Sequence, residues 1–370
     1  MASLALGVYL HFPWCRKLCP YCDFAVEVGP PPHDVYLEAI LVELARRASA
    51  FPGELVSIYF GGGTPSLWRP DCLAQAIAAI CEHYGRTPRE VTIEANPTDV
   101  TDDNLAGWRA AGITRVSIGV QSLEPAELVV LGRDHRFGDG RAAVERALAA
   151  GLTTSADFIL GTPGGRSTVD TLGADHLSVY ELTIEERTAF GQRVRDGRLV
   201  PLDEDTLTAL YLATHERLLA AGYEHYEISS YARRGQRAVH NSLYWQGAPF
   251  LGLGVGAASL ELRADGSGVR ATNPRRARDY LADPGAPAES VTSAPAELAA
   301  DRAWLGLRTS DGVRAADLAP TGGLVDELVA QGLLERRGDR ICPTLRGFLM
   351  ADHVAARVVQ SWRDGGRSSL

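Results

Sequence analysis

Six short apolar runs, alternating with longer stretches of helical spacing, constrain this chain more than any other feature. They are GVYLHF (7–12), LVSIYF (55–60), EVTIEA (90–95), RVSIGV (115–120), ADFIL (156–160) and HLSVYEL (176–182). Their apolar character is nearly continuous, as in strands covered on both faces. Between them, segments such as DVYLEAILVELARRA and CLAQAIAAICEHYG carry apolar residues at helical intervals. Repeated strand-then-helix units call for a parallel sheet. Six units fit before residue 190, short of the eight in a complete (β/α)8 barrel. The expected fold class is therefore α/β, a partial (β/α)6 barrel.

Beyond this core, LTALYLATHERLLAAGY reads as a helix and EHYEISSYA as a strand, followed by the Gly-rich FLGLGVGAAS. A Pro/Ala/Gly-rich stretch near 283–296 reads as a linker or surface loop. After it, helical segments and the hairpin-like LLERRGDRICPT resemble a small winged helix. The expected organisation is a core over 1–190, a barrel extension over 191–282 and a small C-terminal winged-helix-like domain over 283–370. With 370 residues and a net charge of −9, the chain is not built mainly to neutralise phosphate backbones. No nucleic-acid partner is expected. No apolar run reaches the ~20 residues that span a bilayer, so no transmembrane segment is expected. MASLALGVYLHFPWC lacks a basic n-region, so no signal peptide is expected and the compartment is read as the cytoplasm.

Three of the six cysteines, Cys15, Cys19 and Cys22, fall within eight residues after the first run. Clustered thiolates suit zinc or iron–sulfur chemistry in a reducing compartment. A closed zinc site takes four ligands, usually as two pairs, and no second pair is present. Cys72 and Cys81 lie on an expected helix and read as core; Cys342 is remote and single. An iron–sulfur cluster usually takes four cysteines. Three thiolates on a four-iron cluster would leave one iron open to an exogenous ligand, which makes the missing fourth cysteine informative. Zinc and purely structural thiols are the alternatives.

Polar and glycine residues recur at the ends of the later runs, where β/α barrels place their chemistry. FGGGTP ends the second run; its adjacent glycines let backbone approach a ligand closely. Glu94 ends the third in IEANP, and Gln121 the fourth in GVQS. Arg133 follows in LGRDH, a carboxylate clamp. Asp157 lies on the fifth run, able to accept from ribose hydroxyls. Each alone reads equally well as surface polarity or a cap.

The C-x3-C-x2-C spacing after the first strand resembles the signature of radical S-adenosylmethionine (SAM) proteins. That resemblance implies a [4Fe–4S] cluster on Cys15, Cys19 and Cys22, its open iron chelated by SAM. The ordered set YLHFPWC, GGGTP, EANP, GVQS and LGRDH resembles, more narrowly, oxygen-independent coproporphyrinogen III oxidase and its relatives. It implies SAM contacts at Tyr9, Tyr21, Gly62, Gly63, Thr64, Glu94, Gln121, Arg133 and Asp157. The C-terminal LGLRTSDGV is similar to that family's terminal domain.

Within this branch the oxidases carry a further cysteine two residues after the third; here that position is Phe24. Phe24 and HNSLYW (240–245) resemble the haem chaperone subgroup, HemW. This implies haem as a third cofactor, with His240 as its ligand and Tyr244 and Trp245 beside the ring. It also implies as partners haem-accepting proteins at the cytoplasmic membrane, and a second copy of the chain. Three departures stand out. The 14 residues from Thr162 to Asp175 barely accommodate a crossover helix, so a thin or irregular wall is expected there. The loop that commonly carries a histidine in relatives reads GVGAAS, with Ala258 and Ser259, and the usual Gly-Leu-Pro-Gly is GTPG. The leading reading is a haem chaperone without coproporphyrinogen oxidase activity. The alternatives are that oxidase, a radical SAM oxidoreductase of haem biosynthesis, and a radical enzyme acting on haem itself.

Overall fold

The structure is a computed structural model and describes residues 4–367. Six parallel strands follow the six apolar runs: β1 (Ala5–Phe12), β2 (Glu54–Gly62), β3 (Glu90–Ala95), β4 (Arg115–Gln121), β5 (Thr153–Leu160) and β6 (His176–Glu181). They pair in chain order, as consecutive parallel units commonly do. β7 (Ser230–Ala232) is antiparallel to β6. On the opposite flank β8 (Phe250–Gly254) joins β1 in parallel, a seventh parallel strand beyond the expected six. β9 (Ala258–Leu262), β10 (Gly268–Thr272) and β11 (Glu289–Ser293) extend that flank antiparallel. With Glu224–His225 at the far edge, the sheet has 12 strands. The stretch read as a linker thus contains β11, whose Glu289 and Ser293 pair with Thr272 and Gly268.

Helices α1 (His33–Arg47), α2 (Pro70–Tyr84), α3 (Asp102–Ala111) and α4 (Asp139–Ala149) cover the outer face. Thr101 starts α3 by accepting from Asn104 N with its side chain. Successive strand residues point to opposite faces. Leu6, Val8, Leu10 and Phe12 of β1 enter the apolar layer beneath the helices. Tyr9 and His11 turn the other way and hydrogen-bond to each other at 3.0 Å. The same alternation brings Tyr59, Glu94, Ser117 and Asp157 inward. The strands are therefore not apolar on both faces, as the near-continuous runs suggested. Their inner face is a polar lumen whose buried groups are mostly paired, Thr92 Oγ1 being an exception.

The crossover between β5 and β6 contains no helix, as its length implied. Buried Glu127 accepts from Ser167 N at 2.6 Å, and Ser167 Oγ accepts from Gly161 N at 2.9 Å. Val169, Leu172 and Ala174 fill the place of a helical face.

The C-terminal residues form the winged-helix-like unit: helices around a three-stranded antiparallel sheet, with Arg340–Pro343 between Val313–Arg314 and Leu334–Arg337. Leu307, Leu318, Leu328, Ile341 and Val354 belong to its own core cluster. Among the described residues, no helix is long and apolar enough to cross a membrane.

Candidate functional site

Cys15, Cys19 and Cys22 sit on the loop leaving β1, each half-buried with a free thiol. The loop turns back on itself through Cys22 N donating to Cys19 O at 3.2 Å. Two donors meet its sulfurs: Thr64 Oγ1 lies 3.4 Å from Cys15 Sγ, and Arg133 Nη1 lies 3.7 Å from Cys19 Sγ. Burial pushes the Cys15 and Cys22 thiols up. The Arg133 guanidinium opposes this shift at Cys15. All three cysteines line one cavity of about 350 Å3 at the carboxyl ends of the strands. Among the described residues, no three His, Cys, Asp or Glu side chains converge on one metal-ion position.

The same cavity gathers eight of the nine residues expected to contact SAM: Tyr21, Gly62, Gly63, Thr64, Glu94, Gln121, Arg133 and Asp157. Tyr9 stands behind them, stacked on Tyr59 at 6.0 Å. The glycines are sterically dictated. At Gly62, φ is +111° and a Cβ would lie 2.6 Å from the His11 ring; at Gly63 it would meet Pro13 O at 2.6 Å. The backbone there lies bare against the cavity. Gln121 holds a left-handed φ of 64°, a strained conformation for a side-chain-bearing residue at a strand end.

The electrostatics follow from burial. Glu94 accepts from Tyr59 OH at 2.8 Å and Gly62 N at 3.0 Å. Burial nevertheless raises its carboxyl to about 7. Asp157 accepts from Ser117 Oγ at 2.9 Å, and burial raises it to about 6. Arg133 donates to Asn96 Oδ1 and Gly119 O, but its buried Nε has no partner. Two carboxylates poised near neutrality and a guanidinium with a spare donor suit a ligand carrying an amino group, hydroxyls and a carboxylate.

His11, Tyr59, Asn96 and Tyr180 were not singled out from the sequence. His11 Nε2 pairs with Ala25 O at 2.8 Å and so ties β1 to the cysteine loop; burial lowers it to about 4. Tyr59 holds Glu94, Asn96 holds Arg133, and Tyr180 lines the cavity. Strand alternation was the available signal: Tyr9 and Tyr59 share the inward parity that carries Glu94 and Asp157.

Of the three haem candidates, His240 and Tyr244 are brought together and Trp245 is not. The helix Val239–Trp245 plugs the amino-terminal end of the barrel, its His240 N and Val239 N donating to Glu90 at 2.9 and 3.0 Å. His240 is 1% exposed. Its Nδ1 pairs with Ser57 Oγ at 2.9 Å and its Nε2 with Tyr244 OH at 2.8 Å, so neither nitrogen is free in this arrangement. The ring stacks on Tyr59 at 5.0 Å, and burial lowers it to about 3. Tyr244 borders a side cavity with Ala258, Arg275 and Phe24. Trp245 faces away, toward the C-terminal unit. Phe24 is 68% exposed at the mouth of both the main and side cavities. Cys72 is buried in the main core and Cys81 packs partly buried against it, while Cys342 is buried in the C-terminal unit with its Sγ 3.7 Å from Asp311 O.

Residues 9–165 match the Radical SAM superfamily. Over 371 aligned residues, covering 96% of this chain and 95% of the relative, the chain is 36% identical to a protein of Mycobacterium tuberculosis (strain H37Rv) named heme chaperone HemW. It is 36% identical to the Escherichia coli K12 protein of the same name, covering 75% of each. A mouse relative, radical S-adenosyl methionine domain-containing protein 1, mitochondrial, is 37% identical over 69% of this chain and 61% of its own length. Among solved structures, E. coli coproporphyrinogen III oxidase (HemN) superposes with a TM-score of 0.80 at 21% identity, covering 96% of this chain and 90% of that one. At that identity the likeness is one of fold.

Proposed function

The chain belongs to the radical SAM superfamily and, within it, to the family of the heme chaperone HemW, and from that premise we propose that it binds haem and delivers it to acceptor proteins. In this reading Cys15, Cys19 and Cys22 hold a [4Fe–4S] cluster and the adjoining cavity holds SAM. The observation that carries it is the three-thiol loop facing one cavity with Glu94, Arg133 and Asp157, and no fourth cysteine beside it. The chemistry of the donors fits: free sulfurs with Thr64 and Arg133 as neighbouring donors. When bound, such a cluster supplies one-electron chemistry and an open iron to SAM.

The chain's own residues do the rest. Glu94 accepts from the ligand's amino group, and the bare backbone of Gly62 and Gly63 lets it approach. Arg133 clamps the carboxylate and Asp157 accepts from ribose. Phe24 presents an apolar surface where the oxidases carry a further thiol, which favours haem handling over oxidative decarboxylation. His240 reaches haem only if the Val239–Trp245 helix leaves the barrel floor, because both its nitrogens are otherwise engaged.

The test pairs two assays on anaerobically reconstituted protein. Haem-loaded protein mixed with an apo-haemoprotein should transfer haem, read by the acceptor's Soret band. Coproporphyrinogen III with reductant and SAM should yield no protoporphyrinogen IX. Robust turnover of coproporphyrinogen, or failure to bind haem, would overturn the proposal.

A further inference from the structure

The Val239–Trp245 helix is walled on both sides. Its His240 and Leu243 pack against Gly7 of β1. Its Ser242, Trp245 and Gln246 border a separate groove of about 670 Å3, closed on the far side by the C-terminal unit. That volume lies within the ~300–1,000 Å3 of small-molecule sites.

Four arginines line the groove, and two are neutralised. Arg237 pairs with Glu224 at 2.8 Å and Asp311 at 3.0 Å, and Arg314 pairs with Asp317 at 2.8 Å. Arg340 gives its Nε and Nη2 to the backbone carbonyls of Asp311 and Gly312 and meets no carboxylate. Arg302 makes no hydrogen bond or ion pair among the described residues; it only packs its stem near Gly247. Among the described residues, two guanidiniums are thus left without a counter-ion. Trp245 and Trp362, both half-buried, add indole surface to the same groove. Indoles offer flat apolar area, and guanidiniums recognise carboxylates through paired donors. The complementary ligand is flat, apolar and carries two carboxylates.

We propose that this groove is the tetrapyrrole site, with the porphyrin ring against Trp245 and Trp362 and its two propionates at Arg302 and Arg340. The assignment rests on the haem-carrier reading above and adds to it the place and mode of binding. Among the described residues, no histidine, cysteine or methionine lines the groove. Recognition there would be of ring and carboxylates rather than of the iron. The helix shared by groove and barrel floor puts the cargo one helix thickness from the Tyr59–Glu94 contact of the SAM cavity.

The test uses the full chain, reconstituted with iron and sulfide, titrated with haem, metal-free protoporphyrin IX and protoporphyrin IX dimethyl ester by tryptophan quenching. Haem and protoporphyrin IX should bind with dissociation constants within about threefold, and the dimethyl ester about tenfold or more weakly, the loss of a charge-assisted contact. Arg302→Glu should weaken protoporphyrin IX at least about tenfold while Arg302→Lys retains most of the affinity. Trp245→Leu should weaken it without changing iron or sulfide content. Wild-type affinity in Arg302→Glu and Trp245→Leu, equal binding of the ester, or binding that requires iron overturns the groove. If wild type binds neither haem nor protoporphyrin IX, the carrier reading itself fails. If it binds both and the variants are unaffected, the carrier reading stands and only this site falls.

Discussion

Replacing Glu94 by Gln should remove a pH dependence from SAM binding and, in the same stroke, relieve the unliganded fold. Glu94 is half-buried on β3, and burial lifts its carboxyl from 4.5 to about 7 against the opposing hydrogen bonds of Tyr59 and Gly62. Only the ionised form fully accepts from the ligand's amino group. About a tenth of it is ionised at pH 6 and about nine-tenths at pH 8. An apparent dissociation constant scales inversely with the competent fraction. The ratio of Glu94→Gln to wild-type dissociation constants should therefore rise about tenfold from pH 6 to pH 8. Taking the ratio cancels titration of the ligand's own amino group. Stability moves the opposite way. Because the folded pKa is raised, the native state holds a proton that the unfolded chain releases between 4.5 and about 7. Wild-type stability therefore falls as pH rises through that window, by at most ~3 kcal/mol from this group. Unliganded Glu94→Gln should match wild type near pH 4 and exceed it at pH 8 in urea unfolding. Equilibrium dialysis with labelled SAM on reconstituted protein supplies the first readout. A flat ratio across pH 6–8, or a variant less stable than wild type at pH 8, would refute the reasoning.

Gly62→Ala places a Cβ 2.6 Å from the His11 ring at a φ of +111°. It should cost ~1–3 kcal/mol of stability and weaken SAM binding, read by urea unfolding and dialysis. His240→Ala removes a buried ring bonded at both nitrogens and should destabilise by ~2–4 kcal/mol while leaving porphyrin affinity within about threefold. Loss of haem binding with stability intact would instead identify His240 as a haem ligand. Glu90→Gln leaves buried Arg115, 3.5 Å away, without its carboxylate and weakens the seat of the floor helix. Urea unfolding should show a loss of ~3 kcal/mol, and a change under ~1 kcal/mol would mean that the pair is not holding the helix.

Much of the site was legible because a parallel β/α sheet turns linear order into spatial order. Each strand end faces the same opening, so Cys15, Gly62, Glu94, Gln121 and Asp157 meet although they are spread over 143 residues of sequence. The irregular crossover was legible from its length alone. β8 was not, because FLGLG is short and glycine-rich and lies far along the chain from β1, its parallel partner. β11 was hidden by its Pro/Gly-rich surroundings, although ESVTS carries the β-branched residues of an edge strand. HNSLYW read as one site, but it lies on a single seven-residue helix, Val239–Trp245. At about 100° per residue, positions four apart share a face and the next residue turns away. His240 therefore meets Tyr244, whereas Trp245 borders the opposite groove. The polar lumen was hidden because Ser57, Thr92 and Ser117 are small enough to leave the runs apolar in character.

The central claim is that three thiols, and no others, hold a cluster with one iron open to SAM. It is tested most directly by iron and sulfide analysis with EPR of the reduced, anaerobically reconstituted protein, with and without SAM. Wild type and the Cys72→Ala, Cys81→Ala and Cys342→Ala variants should hold about four irons per chain and change their EPR signal when SAM is added. Cys15→Ala, Cys19→Ala and Cys22→Ala should lose the cluster. A full cluster in any of those three variants, or a wild-type signal indifferent to SAM, would contradict the account.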